Sequence, residues 1–138
     1  MLYLDASVLV ACYIPEQRSV EAEALVMADP ECLASDLTIA ETKNAIIRRG
    51  KRGAVLPEDV ETALAKIDEH LDGGWYRPVI LGRTTYWESV TLSRRSPVHL
   101  RTADALHLAI VLGLGCPLAT FDAVLATAAR AEGVTVVP

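Results

Sequence analysis

The chain has 138 residues, of which 51% are hydrophobic and 22% are charged. This length fits one domain with a buried core, the composition excludes a disordered chain, and the scattered charges leave no long apolar span for a membrane. The net charge of −5 argues against a broad electrostatic grip on nucleic acid. It does not exclude a nuclease built on carboxylates, because divalent cations bound there would cancel that charge locally.

The cysteines and the N-terminus bear on the cellular compartment. The three cysteines are widely spaced in apolar surroundings, which favours reduced thiols over a disulfide framework or a zinc site. No basic leader precedes the first apolar run, so we predict no secretion signal. We therefore expect a cytoplasmic protein that makes no membrane contact.

Strand patterns alternate with helix patterns in the first half of the chain. We predict strands at 1–5 and 32–34, short helices at 8–11 and 20–27, and then two longer helices. The first longer helix is capped by Ser35 or Asp36 and ends at Gly50 or Gly53, and the second runs from Pro57 to Gly73. These two helices are expected to form a hairpin.

The second half continues the alternation. We predict strands at 78–81, 117–120 and 134–137, and helices at 84–94, 103–114 and 124–131. Strands separated by helices indicate a parallel sheet covered on both faces. The predicted fold is therefore a single α/β domain over residues 1–138, with a central parallel sheet flanked by helices.

Asp104 stands inside the most apolar predicted helix. Nearly every residue from 103 to 114 is apolar, so this helix must be buried on most sides. A carboxylate there loses its hydration, and hydrogen bonds, a cation or a metal must replace the water. The alternative is that Thr102 caps the helix and Asp104 lies in its first turn, where free N–H groups favour an acid.

Two further acids, Asp5 and Asp122, follow predicted strands. In parallel α/β sheets ligands bind outside the carboxyl ends of the strands, so we expect Asp5, Asp104 and Asp122 to converge on one edge. Asp122 has an alternative role as a helix N-cap, whereas Asp5 is not an evident cap for the short helix beyond it. Glu41 shares a helix face with Asn44, and taken alone that pattern indicates a solvated surface.

The predicted cluster of acids favours a divalent metal. Clustered carboxylates repel one another unless cations lie between them, and hard oxygen ligands at an open site select Mg²⁺ or Mn²⁺. Such a metal activates water and stabilises phosphodiester oxygens, so no side-chain nucleophile is required. The sequence indeed contains no nucleophile elbow, no Walker loop and no glycine-rich dinucleotide motif.

Four motifs follow one another along the chain: Leu4-Asp5-Ala6-Ser7, Glu41 with Asn44 three residues on, the run from Arg101 to Ala109, and Thr120-Phe121-Asp122. In this order they resemble the PIN domain family. In a chain of this length they look like the VapC-type toxins of toxin–antitoxin pairs, and the resemblance covers essentially the whole chain. It implies an endoribonuclease that uses Mg²⁺ or Mn²⁺, a homodimer and a cognate antitoxin. Its catalytic metal ligands would match Asp5, Glu41, Asp104 and Asp122, supported by Ser7, Thr120 and Asn44.

Basic residues are candidates for contact with RNA. Arg94, Arg95 and Arg101 flank the loop before the most apolar helix and are predicted to meet the substrate. The basic residues between 48 and 52 end another helix, where they hold phosphates, receive an acidic antitoxin segment or only keep the helix end soluble. His107 lies one turn beyond Asp104 and could reach the site, but a lone histidine on an apolar helix is more often a hydrogen-bonded core residue, and we interpret it so.

Two competing interpretations stay open. The first is a nuclease with a housekeeping role in RNA or DNA processing, against which an adjacent antitoxin reading frame would count. The second is a non-catalytic PIN-like module that binds a protein. Such a module has no evident need for buried like charges.

Overall fold

Five strands and seven helices alternate along the chain in a computed structural model that describes residues 1–138. The strands are β1 (Leu2–Leu4), β2 (Cys32–Ser35), β3 (Arg77–Val79), β4 (Leu118–Ala119) and β5 (Val136–Val137). The helices are α1 (Ala6–Tyr13), α2 (Ser19–Ala28), α3 (Asp36–Lys51), α4 (Pro57–Asp72), α5 (Arg83–Arg95), α6 (Thr102–Leu114) and α7 (Ala123–Ala131). None of the helices combines the length and the apolar character needed to cross a membrane.

All five strands are parallel and lie in the order β3-β2-β1-β4-β5. The predicted central parallel sheet flanked by helices is therefore confirmed. The first strand is central, with Tyr3 opposite Leu33 of β2 on one side and Leu118 of β4 on the other. The connections after β1 and β4 lead to opposite faces of the sheet, which opens a crevice at their carboxyl ends.

Successive residues of β1 face opposite sides of the sheet. Leu2 and Leu4 pack with Val8 in a cluster under α1 and α2. Tyr3 packs with Leu108 in a larger cluster under α5, α6 and α7. The phenol of Tyr3 is therefore directed to the α6 side of the sheet.

The predicted hairpin of α3 and α4 is present. Ile46 of α3 packs with Val60 and Ile67 of α4 in a small buried cluster. The two helices approach so closely at Gly50 that a Cβ there would lie 2.7 Å from Cγ2 of Val60. A larger residue at this position would require the Val60 side chain or one of the helices to shift.

Helix α3 begins directly at the carboxyl end of β2. Ser35, the last residue of β2, is its N-cap, and Ser35 Oγ accepts a hydrogen bond from the Thr38 N–H at 3.1 Å. Thr38 Oγ1 donates to the Leu4 carbonyl at 3.1 Å, which ties the first turn of α3 to β1. Glu41, one turn further on, is thereby placed next to the end of β1.

Helix α1 begins two residues earlier than predicted, at Ala6. Asp5 is its N-cap, because the Asp5 carboxylate accepts a hydrogen bond from the Ser7 N–H at 3.3 Å. The inference that Asp5 is not a cap is therefore wrong. The strand passes into the helix without a loop, which fixes the carboxylate at the strand end.

Helix α6 also begins earlier than predicted. Its N-cap is Arg101 and not Thr102, which is the first residue of the helix. Asp104 accepts a hydrogen bond from the Arg101 N–H at 3.3 Å and so fixes the start of the helix. The prediction that Asp104 lies in the first turn is confirmed.

The edge strand β3 is displaced from the predicted range 78–81. It pairs only with β2, which ends at Ser35 opposite Val79. Ile80 and Leu81 therefore have no neighbouring strand to bond, and Ile80 is 85% exposed.

Candidate active site

Asp5 is held at the end of β1 by hydroxyl groups from two parts of the chain. Its Oδ2 accepts hydrogen bonds from Ser7 Oγ at 2.6 Å and from Thr120 Oγ1 at 2.8 Å. Asp5 is only 6% exposed, and these bonds replace the water that a buried carboxylate loses. Because both hydroxyl groups bind the same oxygen, Oδ1 of Asp5 is left for other partners.

Thr120 links Asp5 to Asp122. Its Oγ1 also accepts a hydrogen bond from the Asp122 N–H at 3.0 Å. Oδ1 of Asp122 caps α7 by accepting hydrogen bonds from two N–H groups of the first turn, at 2.8 and 3.0 Å. Oδ2 of Asp122 instead lies 3.4 Å from Nη2 of Arg101. The cap role of Asp122 is confirmed, and its second oxygen remains available to the crevice.

The charge of Asp104 is balanced by the guanidinium of Arg101. Asp104 is 5% exposed, and Arg101 donates to its two oxygens from Nε at 3.0 Å and from Nη2 at 3.2 Å. The hydrogen bond and the negative charge of Asp104 raise the pKa of Arg101 above its ordinary value. Since the Arg101 side chain is 72% exposed, it is a surface cation shared by Asp104 and Asp122.

His107 joins Glu41 and Asp5 inside the crevice. Its Nε2 lies 2.6 Å from Oε2 of Glu41 and 3.5 Å from Oδ1 of Asp5. One potential ligand atom from each of these three residues lies within 4.8 Å of the others. The interpretation of His107 as a hydrogen-bonded core residue is confirmed, since it is 1% exposed. Its contact with the acids agrees with the alternative that its position one turn beyond Asp104 lets it reach the site.

A cleft of about 200 Å³ lies over these residues. The predicted site residues that line it are Asp5, Ser7, Glu41, Arg101, Asp104 and Asp122. Thr120 lies behind Asp5 and is buried. Arg48 and Arg49 of α3 also line the cleft; Arg49 pairs with Glu16 at 2.7 Å, whereas Arg48 has no ion pair.

Three residues that were predicted to serve the site lie outside the cleft. Asn44 is exposed on α3, and Arg94 and Arg95 end α5. Arg95 donates hydrogen bonds to Glu132 at 2.8 and 2.6 Å. Glu132 follows the last turn of α7, whereas the first turn of that helix is at the site. Arg95 therefore lies roughly 13 Å from the site, measured along the axis of α7.

The donor set fits a divalent cation with hard oxygen ligands. Carboxylates from the end of β1, from α3, from α6 and from the end of β4 border one cleft, and such oxygens suit Mg²⁺ or Mn²⁺. Arg101 and His107 supply N–H donors to these acids, and no buried side-chain N or O atom lacks a hydrogen-bond partner. A cation bound here would share the acids with Arg101 and His107.

Comparison with known proteins identifies the family. The model of the PIN domain family matches residues 2–131. The chain therefore belongs to the PIN domain family. It is 32% identical over 143 residues to Ribonuclease VapC45 of Mycobacterium tuberculosis (strain CDC 1551 / Oshkosh), and the match covers 100% of this chain and 95% of that protein. The resemblance to VapC-type proteins is thus confirmed.

Solved structures share the fold. VapC20 of Mycobacterium tuberculosis, a sarcin-ricin loop cleaving toxin, matches with a TM-score of 0.76 at 18% identity, over 98% of this chain and 97% of that chain. A chain of a toxin–antitoxin complex from Klebsiella pneumoniae matches with a TM-score of 0.65 at 19% identity, over 100% of this chain and 97% of that chain. These matches confirm the predicted PIN-like α/β fold.

Proposed function

We propose that this chain is a metal-dependent endoribonuclease that hydrolyses RNA phosphodiester bonds, and that it is the toxin of a type II toxin–antitoxin pair. The observation that carries the proposal is the convergence on one cleft of four acids from separate parts of the sequence: Asp5, Glu41, Asp104 and Asp122. The full-length similarity to a protein named Ribonuclease VapC45 supports RNA as the substrate.

The four acids would hold Mg²⁺ or Mn²⁺. A divalent cation bound there supplies activated water and stabilises negative charge on the reacting phosphodiester oxygens. Ser7 and Thr120 orient Asp5 by donating to one of its oxygens. In this proposal the two hydroxyl groups serve to orient Asp5, and the nucleophile that attacks the phosphorus would be water.

Arg101 and Arg48 position the RNA backbone. Both are exposed and border the cleft, and a guanidinium binds phosphate oxygens through two parallel N–H donors. A phosphate that draws Arg101 away leaves Asp104 and Asp122 free for the cation. The contacts to phosphate would thus come from a few arginines of the cleft and need no broad basic surface, which agrees with a chain whose net charge is −5.

The proposed partners are an antitoxin protein and a second copy of this chain, in the cytoplasm. The shared fold with a chain of the Klebsiella pneumoniae toxin–antitoxin complex supports the antitoxin. Helix α5 exposes Tyr86, Trp87 and Val90, which are 52%, 61% and 51% exposed. An apolar surface of this kind is typical of a protein–protein contact, which supports the homodimer.

Of the two competing functions, the protein-binding module explains the site less well, and the housekeeping nuclease explains it equally well. A protein-binding module has no need of buried carboxylates placed side by side, because each buried charge costs desolvation energy. A housekeeping nuclease would use the same chemistry. Growth arrest on expression of the chain, relieved by a partner encoded beside it, supports the toxin, and unaffected growth supports the housekeeping role.

Cleavage of a panel of transfer, ribosomal and messenger RNA by the purified chain tests the activity. We expect cleavage with Mg²⁺ or Mn²⁺ and none with chelator. Asp104→Asn should reduce the rate by about a hundredfold or more, since it removes a charge at the reacting centre. The matched control is Asp72→Asn, at the exposed end of α4 with no side-chain hydrogen bond, and it should keep full activity. A wild-type chain that cuts no RNA and binds no Mn²⁺ would refute the proposal.

A further inference from the structure

The hydroxyl group of Tyr3 lies at the centre of a buried polar network. It is 2.8 Å from Ser35 Oγ, 3.1 Å from Thr38 Oγ1 and 2.8 Å from Nδ1 of His107. Tyr3 is fully buried on the central strand. The phenol hydroxyl carries one hydrogen and can donate it to a neighbouring acceptor.

The partners of His107 determine where the hydrogen atoms of this network lie. Nε2 of His107 faces oxygens of Glu41 and Asp5, and carboxylate oxygens only accept hydrogen bonds. Nε2 must therefore carry a hydrogen. In a neutral imidazole the other nitrogen, Nδ1, is then an acceptor, and Tyr3 is the only group placed to donate to it.

Two further hydrogen bonds fit this direction, whereas the 3.1 Å contacts of Thr38 Oγ1 with the Tyr3 and Ser35 oxygens then hold no hydrogen of their own. Thr38 Oγ1 uses its own hydrogen on the Leu4 carbonyl, at 3.1 Å. Ser35 Oγ accepts from the Thr38 N–H and has its hydrogen left for the Tyr3 oxygen. The donors therefore follow one another from Ser35 to Tyr3 to His107 to Glu41.

We propose that Tyr3 is a positioning residue for the metal site: its hydroxyl holds His107 in the tautomer with hydrogen on Nε2, and His107 in turn holds the Glu41 carboxylate beside Asp5. Glu41 needs a residue that holds it in place because of its charge and its exposure to solvent. The Glu41 side chain is 35% exposed, and repulsion from Asp5 would otherwise turn it toward solvent. Only the role of Glu41 as a metal ligand rests on the proposed function; the tautomer rests on the hydrogen bonds alone.

The opposite tautomer would give His107 a different role. If Nε2 were itself a metal ligand, it would carry no hydrogen, and Nδ1 would donate to Tyr3. Tyr3 would then donate to Ser35 or Thr38, which reverses the direction of the network. The position of one hydrogen atom therefore separates a positioning histidine from a ligating one.

Long-range ¹H–¹⁵N spectra of the ¹⁵N-histidine-labelled full chain measure this directly. We expect His107 to carry its hydrogen on Nε2 at neutral pH, both in chelator and after addition of Mg²⁺, which is diamagnetic. A hydrogen on Nδ1 in either state would overturn the proposal. This measurement on the wild-type chain needs no variant to fold.

Tyr3→Phe tests the second link, from His107 to the metal site. The variant keeps the ring in the core and removes only the hydroxyl, so we expect a mixture of His107 tautomers and Mn²⁺ binding weaker by about three- to tenfold. The control is Tyr13→Phe, because the Tyr13 hydroxyl also lies 2.8 Å from a histidine Nδ1, that of His70, but outside the cleft. Tyr13→Phe should leave Mn²⁺ binding and the His107 spectrum unchanged.

The outcomes separate this inference from the proposed function. Mn²⁺ binding and RNA cleavage that persist while Tyr3→Phe leaves the tautomer and the affinity unchanged would overturn the inference alone. A single Nε2 tautomer that is lost in Tyr3→Phe, in a chain that neither binds Mn²⁺ nor cuts RNA, would support the Tyr3 to His107 link and overturn the proposed function.

Discussion

The two halves of the cleft hold their carboxylates by different means. The first pair, Asp5 and Glu41, is called the inner pair for its donors, because it accepts hydrogen bonds from hydroxyl groups and an imidazole that are themselves buried or half-buried. The outer pair, Asp104 and Asp122, shares the exposed guanidinium of Arg101. Hydroxyl donors orient a carboxylate without cancelling its charge, whereas a guanidinium cancels it. In the proposed metal site, the inner pair is therefore oriented before a cation binds, and the outer pair would become available to the cation only when Arg101 moves.

Thr120→Val should produce the largest effect, because it breaks the inner half. The variant keeps the shape of the side chain but removes the hydrogen bonds to Asp5 and from the Asp122 N–H. We expect the free energy of unfolding in urea to fall by about 1.5–3 kcal/mol, as for hydrogen bonds to a charged group, and Mn²⁺ binding to weaken. Thr127→Val, which loses only an exposed bond to the Ala123 carbonyl, is the control and should stay within about 0.5 kcal/mol. Equal losses in the two variants would contradict a special role for Thr120.

Arg101→Gln changes the outer half. Its expected effect is smaller than that of Thr120→Val, and it should strengthen metal binding where Thr120→Val weakens it. Removing the competing cation should tighten Mn²⁺ binding without RNA by about two- to fivefold, because an exposed ion pair is worth up to about 1 kcal/mol. The KM for RNA should rise at the same time. Arg95→Gln, which breaks the pair with Glu132 away from the cleft, should change neither quantity. Weaker Mn²⁺ binding in Arg101→Gln would show that Arg101 supports the cation and does not compete with it.

The smallest expected effect is on the pH dependence of the free energy of unfolding, through His70. Because His70 lies outside the cleft, it serves as a reference for the inner half. His70 bonds Tyr13 and stacks on Trp75 outside the cleft, and burial lowers its pKa below the ordinary value of about 6.5. The unfolded chain then binds the proton more readily, so the stability from neutral His70 is complete above about pH 6.5 and is lost as the pH falls toward the lower folded pKa. Urea unfolding at several pH values between about 7.5 and 5.5 should show a shallower loss of stability in His70→Gln than in the wild type. Identical slopes would contradict the lowered pKa.

The acids that follow strands were predictable, and the network that orients them was less so. Asp5 and Asp122 were located by a general property of parallel sheets, that their carboxyl ends share one edge. Glu41 carries no such signal, and its assignment depended on the family motif. The link from Tyr3 to His107 depends on which face of β1 meets α6, a tertiary fact that the sequence shows only as an alternation of side chains.

Arg95 and Arg48 show that closeness to Asp104 in the sequence does not predict closeness to the cleft. Arg95 is only nine positions before Asp104, yet it lies far from the cleft, because the loop between α5 and α6 returns the chain to the carboxyl edge of the sheet. Arg48 is much further from Asp104 in sequence and lines the same cleft. The direction of each helix relative to the sheet decides which of its ends meets the site.

The central position of β1 also sets the time at which the cleft is completed during translation. The hydrogen bond between Thr120 and Asp5 joins residues 115 positions apart, and Asp122 lies beyond both. At synthesis rates of about 5–20 residues per second, Asp5 waits roughly 6–23 s for these groups to leave the ribosome. Throughout that interval β1 lacks the neighbour on one side and the cleft lacks an acid. The four-acid cleft on which the proposed function rests is therefore incomplete until its last acid has left the ribosome.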